Sequence, residues 1–165
     1  MARTKSKNAP NTEDELFTLF DKLQRAVTNV LLNSGGLAIK TGGSALVKTA
    51  NVIHALVDGA QITKAASDMA ALSGTVTNAK FNVFVFTINA AGTLKSYMGT
   101  EGATYAAVTF PTIADGEVVI GYVSINPTGT GNFVGGTTAL DDATVVPTAV
   151  YVNTPCVFAN FCNPL

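Results

Sequence analysis

The chain has 165 residues, of which 47% are hydrophobic and only 13% charged, and its formal net charge is −1. A chain of this length suits one domain with appendages and buries about 70% of its unfolded surface, so it needs no metal or disulfide staple. It holds no apolar run of about 18 residues that would cross a membrane, and its opening, Met1 to Lys5, lacks the apolar region of a signal peptide.

So little charge is unusual for the surface of a lone soluble domain. Two readings compete: a surface rich in Thr, Ser and Asn, or a surface covered by other subunits. The charge is also segregated. Ten basic and six acidic residues up to Lys95 give that half +4, whereas Glu101, Asp115, Glu117, Asp141 and Asp142 give the remainder −5. A field split in this way orients one molecule on another; the plainer reading is chance in a low-charge sequence.

Residues 1–10 read as a flexible basic arm, in which Arg3, Lys5 and Lys7 alternate with small polar residues that build no core. Nucleic-acid binding is disfavoured, because no aromatic residue is interleaved and no second basic patch exists. Residues 11–34 read as an amphipathic helix, helical from Thr12 to Asn33. Thr12 and Glu15 form a capping box, Glu13, Asp14 and Glu15 complement the helix dipole, and Ser34-Gly35-Gly36 ends the helix. Leu16, Phe20, Leu23, Val27 and Val30 fall at spacings of 4, 3, 4 and 3, a heptad seam widened by Leu19, Ala26 and Leu31. The seam packs either on the chain's own β-domain or on symmetry mates. Two heptads are too short to be stable alone, so in the second case the β-domains associate too. A homotrimer is favoured, with a dimer as alternative.

From Leu37 the pattern is that of strands. Leu37–Thr41, Leu46–Ala50, Val52–Val57, Gln61–Lys64, Phe81–Ile88, Thr93–Met98, Ala103–Phe110, Glu117–Ile125 and Thr148–Val152 are predicted strands. Turns are expected at Gly42-Gly43, Asp58-Gly59, Asn89 to Gly92 and Asp115-Gly116, and a single helical turn within Ala65–Leu72. The central strand Glu117–Ile125 is expected to place Val119, Val123 and Ile125 on one face and Val118, Ile120 and Tyr122 on the other, with a close neighbour above Gly121. The predicted fold is all-β: an antiparallel, jelly-roll-like β-sandwich over residues 37–153, preceded by one α-helix and the arm, and followed by a tail, residues 154–165.

Chemistry is sparse. His54 is the only His and reads as a hydrogen-bonded packing residue on a strand. Gly129-Thr130-Gly131 lacks the Lys of a phosphate-binding loop, and Asp141-Asp142 lacks the spaced oxygens of a Ca²⁺ loop. Cys156 and Cys162 lack the spacing of a zinc knuckle or redox pair and read as reduced packing residues, with one bridge as the alternative. No nucleophile elbow is present. The expectation is a non-enzymatic chain with no cofactor and no metal. The Gly-rich loop is read as structural, with Gly129, Gly131, Gly135 and Gly136 expected at positive φ.

Two stretches carry a resemblance: FNVFVFTINAAGTLKSYMGTEG, and INPTGTGNFVGGTTALDDATVVPTAVYVN downstream. Over Lys80 to Asn153 they resemble a family of tailed-bacteriophage virion proteins. The resemblance implies a structural part of the particle, of the head-decoration (cement) or head-fibre type. It also implies partners, namely the major capsid protein or other virion subunits, and a capsid-contact role for the arm at Arg3, Lys5 and Lys7. Such a protein is assembled in the host bacterial cytoplasm and resides in the virion. The alternative is a tail-associated adhesion module that binds a host-surface glycan. No Trp and only four Tyr weigh against carbohydrate stacking.

Overall fold

A computed structural model describes residues 13–154. The chain is all-β with one N-terminal helix, and its antiparallel sheets make a sandwich-like architecture. In chain order the elements are α1 (Glu13–Thr28), β1 (Val30–Leu31), β2 (Leu37–Ile39), β3 (Val47–Thr49), β4 (Ile53–Val57), β5 (Ala60–Lys64), β6 (Thr75–Val76), β7 (Asn82–Asn89), β8 (Leu94–Met98), a 3₁₀ turn (Tyr105–Ala107), β9 (Glu117–Ile125), β10 (Phe133–Val134) and β11 (Ala149–Asn153). A four-stranded sheet runs β11-β9-β7-β8 and a three-stranded sheet β1-β4-β5, with two-stranded ribbons β2-β3 and β6-β10.

The core lies against one face of the four-stranded sheet. Phe84, Phe86 and Ile88 of β7 and Val118, Ile120, Val123 and Ile125 of β9 meet Ile53, Ala55 and Val57 of β4. Apolar residues on alternate positions of β4 make one buried and one half-exposed face, as the period of a strand requires. Phe133, the large apolar residue of the Gly-rich run, is fully buried and meets the Phe84 ring edge-on at 5.9 Å. That ring pins a loop that composition alone would leave free.

The face assignment of β9 is corrected. Phe86 pairs with Gly121 and Thr87 with Val119, so Ile120 is an extra residue and the strand bulges there. The bulge puts Val118 and Ile120 on the same side as Val123 and Ile125, leaving Val119, Tyr122 and Ser124 outward. Gly121 is where the close neighbour comes: a Cβ there would lie 2.4 Å from the Val152 carbonyl oxygen and 2.7 Å from Leu37.

The helix also ends earlier than predicted, at Thr28 rather than Asn33. Val30 and Leu31 instead pair with Leu56 and Ala55, and Leu31 is buried in the core. Two asparagines lock this arrangement. Asn29 Oδ1 accepts the Asp58 N–H at 2.7 Å, while Asn33 accepts the His54 N–H at 2.6 Å and donates to Val52 O at 2.6 Å. A β-branched residue, a core leucine and two backbone-mimicking amides together outweigh the last helical turn.

Two further readings change. Ala103–Phe110 is not a strand: Gly102 bridges Phe81, Thr100 bridges Thr109, and the 3₁₀ turn lies between. Gly102 permits this fold-back, since a Cβ would come within 2.6 Å of the Ala107 backbone. Ala65–Leu72 makes no helical turn, because Asp68 bridges Lys48 and the chain lays Met69 and Leu72 into the core.

Candidate functional site

The helix is the surface on which the sequence argument and the structure meet. Its C-terminus is fixed to the β4–β5 turn, where the Gly59 N–H donates to Thr28 O at 3.0 Å. Its polar flank, Asp21, Gln24 and Thr28, looks across a cleft toward Ile113, Asp115 and Gly116 of its own domain. The apolar face is therefore left uncovered: Leu16 is 42%, Phe20 58%, Leu23 62% and Val27 66% exposed. The expectation that this face packs on its own β-domain is set aside by these exposures. Val30 does not belong to the seam, because it lies in β1 opposite Leu56. Phe17, which sequence reasoning passed over, is 69% exposed and Leu19 is also exposed, so both widen the apolar face. The signal for Phe17 was one position outside the heptad, where a large ring on a solvated helix has no reason to be.

A second surface is aromatic. Residues 99–113 fold back over the outer face of the four-stranded sheet, where Phe110 meets Tyr122 edge-on at 5.1 Å and Tyr105 meets Phe81 at 6.4 Å. Tyr105 donates to the Tyr122 hydroxyl at 3.1 Å, and that bond, then burial, pushes the Tyr105 phenol up to about 12. A shallow groove beside it is lined by Phe81, Tyr105, Ser124, Asn126, Thr148 and Val150, none of them charged. Counting aromatic residues missed this cluster, because its four members come from distant parts of the chain.

The acidic residues of the second half are tied into the fold. Asp141 accepts the Gly43 N–H with both oxygens, at 3.0 and 2.9 Å, and Asp142 accepts from the Thr144 N–H and hydroxyl at 2.9 and 2.6 Å. Glu117 is paired with Lys95 and its side chain is only 2% exposed. It also accepts from Thr87 at 2.6 Å and from Tyr97 at 2.9 Å. Burial alone would raise the Glu117 carboxyl, but hydrogen bonds from Lys95, Thr87 and Tyr97 outweigh it and hold it below its ordinary value. A carboxylate whose two oxygens accept from three donors acts as a fastener between β7, β8 and β9.

The Gly-rich loop is part fulfilled and part corrected. Gly131 and Gly136 hold positive φ, at 93° and 74°. Gly129 and Gly135 do not, and glycine is required there by crowding. A Cβ at Gly129 would lie 1.9 Å from Thr144 O, and one at Gly135 would lie 2.9 Å from the Leu72 backbone. His54 sits on the outward face of β4, with its Nδ1 3.2 Å from the Thr63 hydroxyl. Arg3, Lys5, Lys7, Cys156 and Cys162 lie outside the described residues.

Among the described residues, no group of three or more His, Cys, Asp or Glu is placed to hold a metal ion, and no helix is long and apolar enough to cross a membrane. No family model, no curated protein and no solved structure matches the chain.

Proposed function

We propose that this chain is a structural subunit of a tailed-bacteriophage particle, of the head-decoration or head-fibre type, and acts by subunit–subunit contact rather than by chemistry. The observation that carries the assembly half of this reading is the uncovered apolar face of α1. An apolar patch of that kind on an otherwise well-packed domain is a site of association. The phage half rests on the resemblance over Lys80 to Asn153. The use of Glu117, Asp141 and Asp142 as internal fasteners also supports a non-catalytic role. The test is the copy number of this chain in purified particles, by quantitative mass spectrometry. Hundreds of copies are expected for a head component; a dozen or fewer would move the chain to the tail, and none would end the reading.

A second reading, an adhesion module for host-surface glycan, is favoured by one observation: Tyr105 and Phe110 stand exposed on the outer sheet face beside an uncharged groove. Aromatic faces of this kind stack on sugar rings. Binding of the purified chain to a glycan array, lost in Tyr105→Ala, is its expected signature; a blank array would remove it.

A further inference from the structure

The width of the uncovered face says what covers it. At 100° per residue, Leu16, Phe20, Leu23 and Val27 lie within a narrow stripe, and Leu19 and Phe17 extend it on either side to an arc of about 160°. In heptad terms Phe20 and Val27 occupy a, Leu16 and Leu23 d, Phe17 and Gln24 e, and Leu19 g. A two-stranded coiled coil covers little more than a and d, and its e and g positions usually carry the charges that choose the partner. Here the described e and g positions hold Phe, Gln and Leu, and none is charged. A pair of helices would leave Phe17 and Leu19 in water. Three helices around one axis cover that arc more completely.

Gln24 is the one polar residue among the described positions of this face and none of them is charged, so the face offers a partner of different sequence no charge to recognise. We propose that α1 forms a three-helix bundle with the α1 helices of two further copies of this chain, with Phe17 and Leu19 closing the flanks between neighbouring helices. The proposal rests on the helix as an assembly surface and does not depend on the particle to which the assembly belongs. The bundle brings the β-domains together at its C-terminal end, where Thr28 is tied to the β4–β5 turn. That matters because a 16-residue helix is marginal on its own.

The test is sedimentation equilibrium of the full-length chain at micromolar concentration. The expected result is a trimer. Leu23→Asp should dissociate it to monomers while the β-domain still melts cooperatively, since Leu23 makes no part of the protomer's core. The double variant Phe17→Ser/Leu19→Ser distinguishes three helices from two. It should weaken a trimer by about a hundredfold or more in association constant, at roughly tenfold per 1.4 kcal/mol, and would leave an a/d-only dimer nearly unchanged. A wild-type monomer overturns the proposal. So does a dimer indifferent to the Phe17 and Leu19 changes, and so does a trimer indifferent to Leu23→Asp, which would assemble through its β-domains alone. None of these outcomes alters the particle copy number, so failure here and failure of the virion reading are separable.

Discussion

At the scale of single residues the molecule uses its few charges as fasteners. Glu117 is the most deeply set, and its carboxyl is held below the ordinary value of 4.5 by three hydrogen bonds. A carboxyl whose folded pKa is depressed contributes stability that is present above the unfolded pKa and is lost as pH falls through the folded one. Lys95, raised above 10.5 chiefly by its hydrogen bond to Glu117, works in the opposite sense and loses its contribution as pH rises through its folded value. Stability should therefore be level from about pH 5 to pH 10 in this respect and fall on both sides. Glu117→Gln keeps the shape but presents an amide N–H₂ where donors converge, and should cost about 1–3 kcal/mol at neutral pH. Its melting temperature should also depend less on acid than the wild type's. An unchanged acid limb would assign that limb to Glu101 and Asp142, whose carboxyls are also depressed, by Thr77 and by Thr144. The glycines make a second comparison. Gly129→Ala drives a methyl into the Thr144 carbonyl and should cost about 2 kcal/mol or more, whereas Gly131→Ala points into open space at positive φ and should cost about 1 kcal/mol. Equal losses in a denaturant titration would mean that backbone angle, not crowding, governs the loop.

At the scale of elements, what was legible in the sequence is what depends on periodicity and local turn chemistry. β7 and β9 stood out as apolar on both faces, and Asp58-Gly59 forms a turn with both residues at positive φ, 51° and 76°. What was not legible depends on partners distant in sequence. Beside the bulge at Ile120, Val152 and Leu37 close on Gly121, and neither is near it in the chain. The helix end moved because Val30 and Leu31 find β4, a pairing no local signal announces. The exposed apolar face of α1 was legible in its main part, Leu16, Phe20, Leu23 and Val27, while Phe17 and the aromatic cluster were missed for want of a periodic signal. The junction that follows β1 gives a prediction at this scale. Asn33 receives the His54 N–H and donates to Val52 O, so Asn33→Ala removes two hydrogen bonds and leaves a backbone donor without its acceptor. It should cost about 1–3 kcal/mol, and amide exchange should quicken at His54 while β7 and β9 stay protected. Uniform quickening across all strands would mean that the junction unfolds only with the whole domain.

At the scale of the whole molecule, the segregation of charge changes meaning once the structure is in hand. Glu117 is matched by Lys95 across the divide, and Asp141 and Asp142 are turned onto backbone N–H groups. These groups hold the domain together, yet they keep their charge, and the second half of the chain supplies no basic residue to balance it. The basic arm, with Arg3, Lys5 and Lys7 within its first seven residues, precedes the helix. The hypothesis is that the arm engages an acidic surface on the shell or on a neighbouring subunit. Each exposed ion pair contributes only about 0–1 kcal/mol, so one arm tunes attachment and does not create it. In the proposed trimer three arms would act together through effective concentration, which would make a small term measurable. Deleting residues 1–9 should leave the melting temperature nearly unchanged, because the described core draws on residues from Leu31 onward. The same deletion should weaken re-attachment of purified protein to particles lacking it and reduce the dependence of that attachment on salt, since surface ion pairs are screened as the Debye length shrinks. Attachment measured at two ionic strengths decides the matter. If full-length and truncated proteins bind equally at both, the arm plays no part in attachment, and the apolar helix and the β-domain faces must carry it alone.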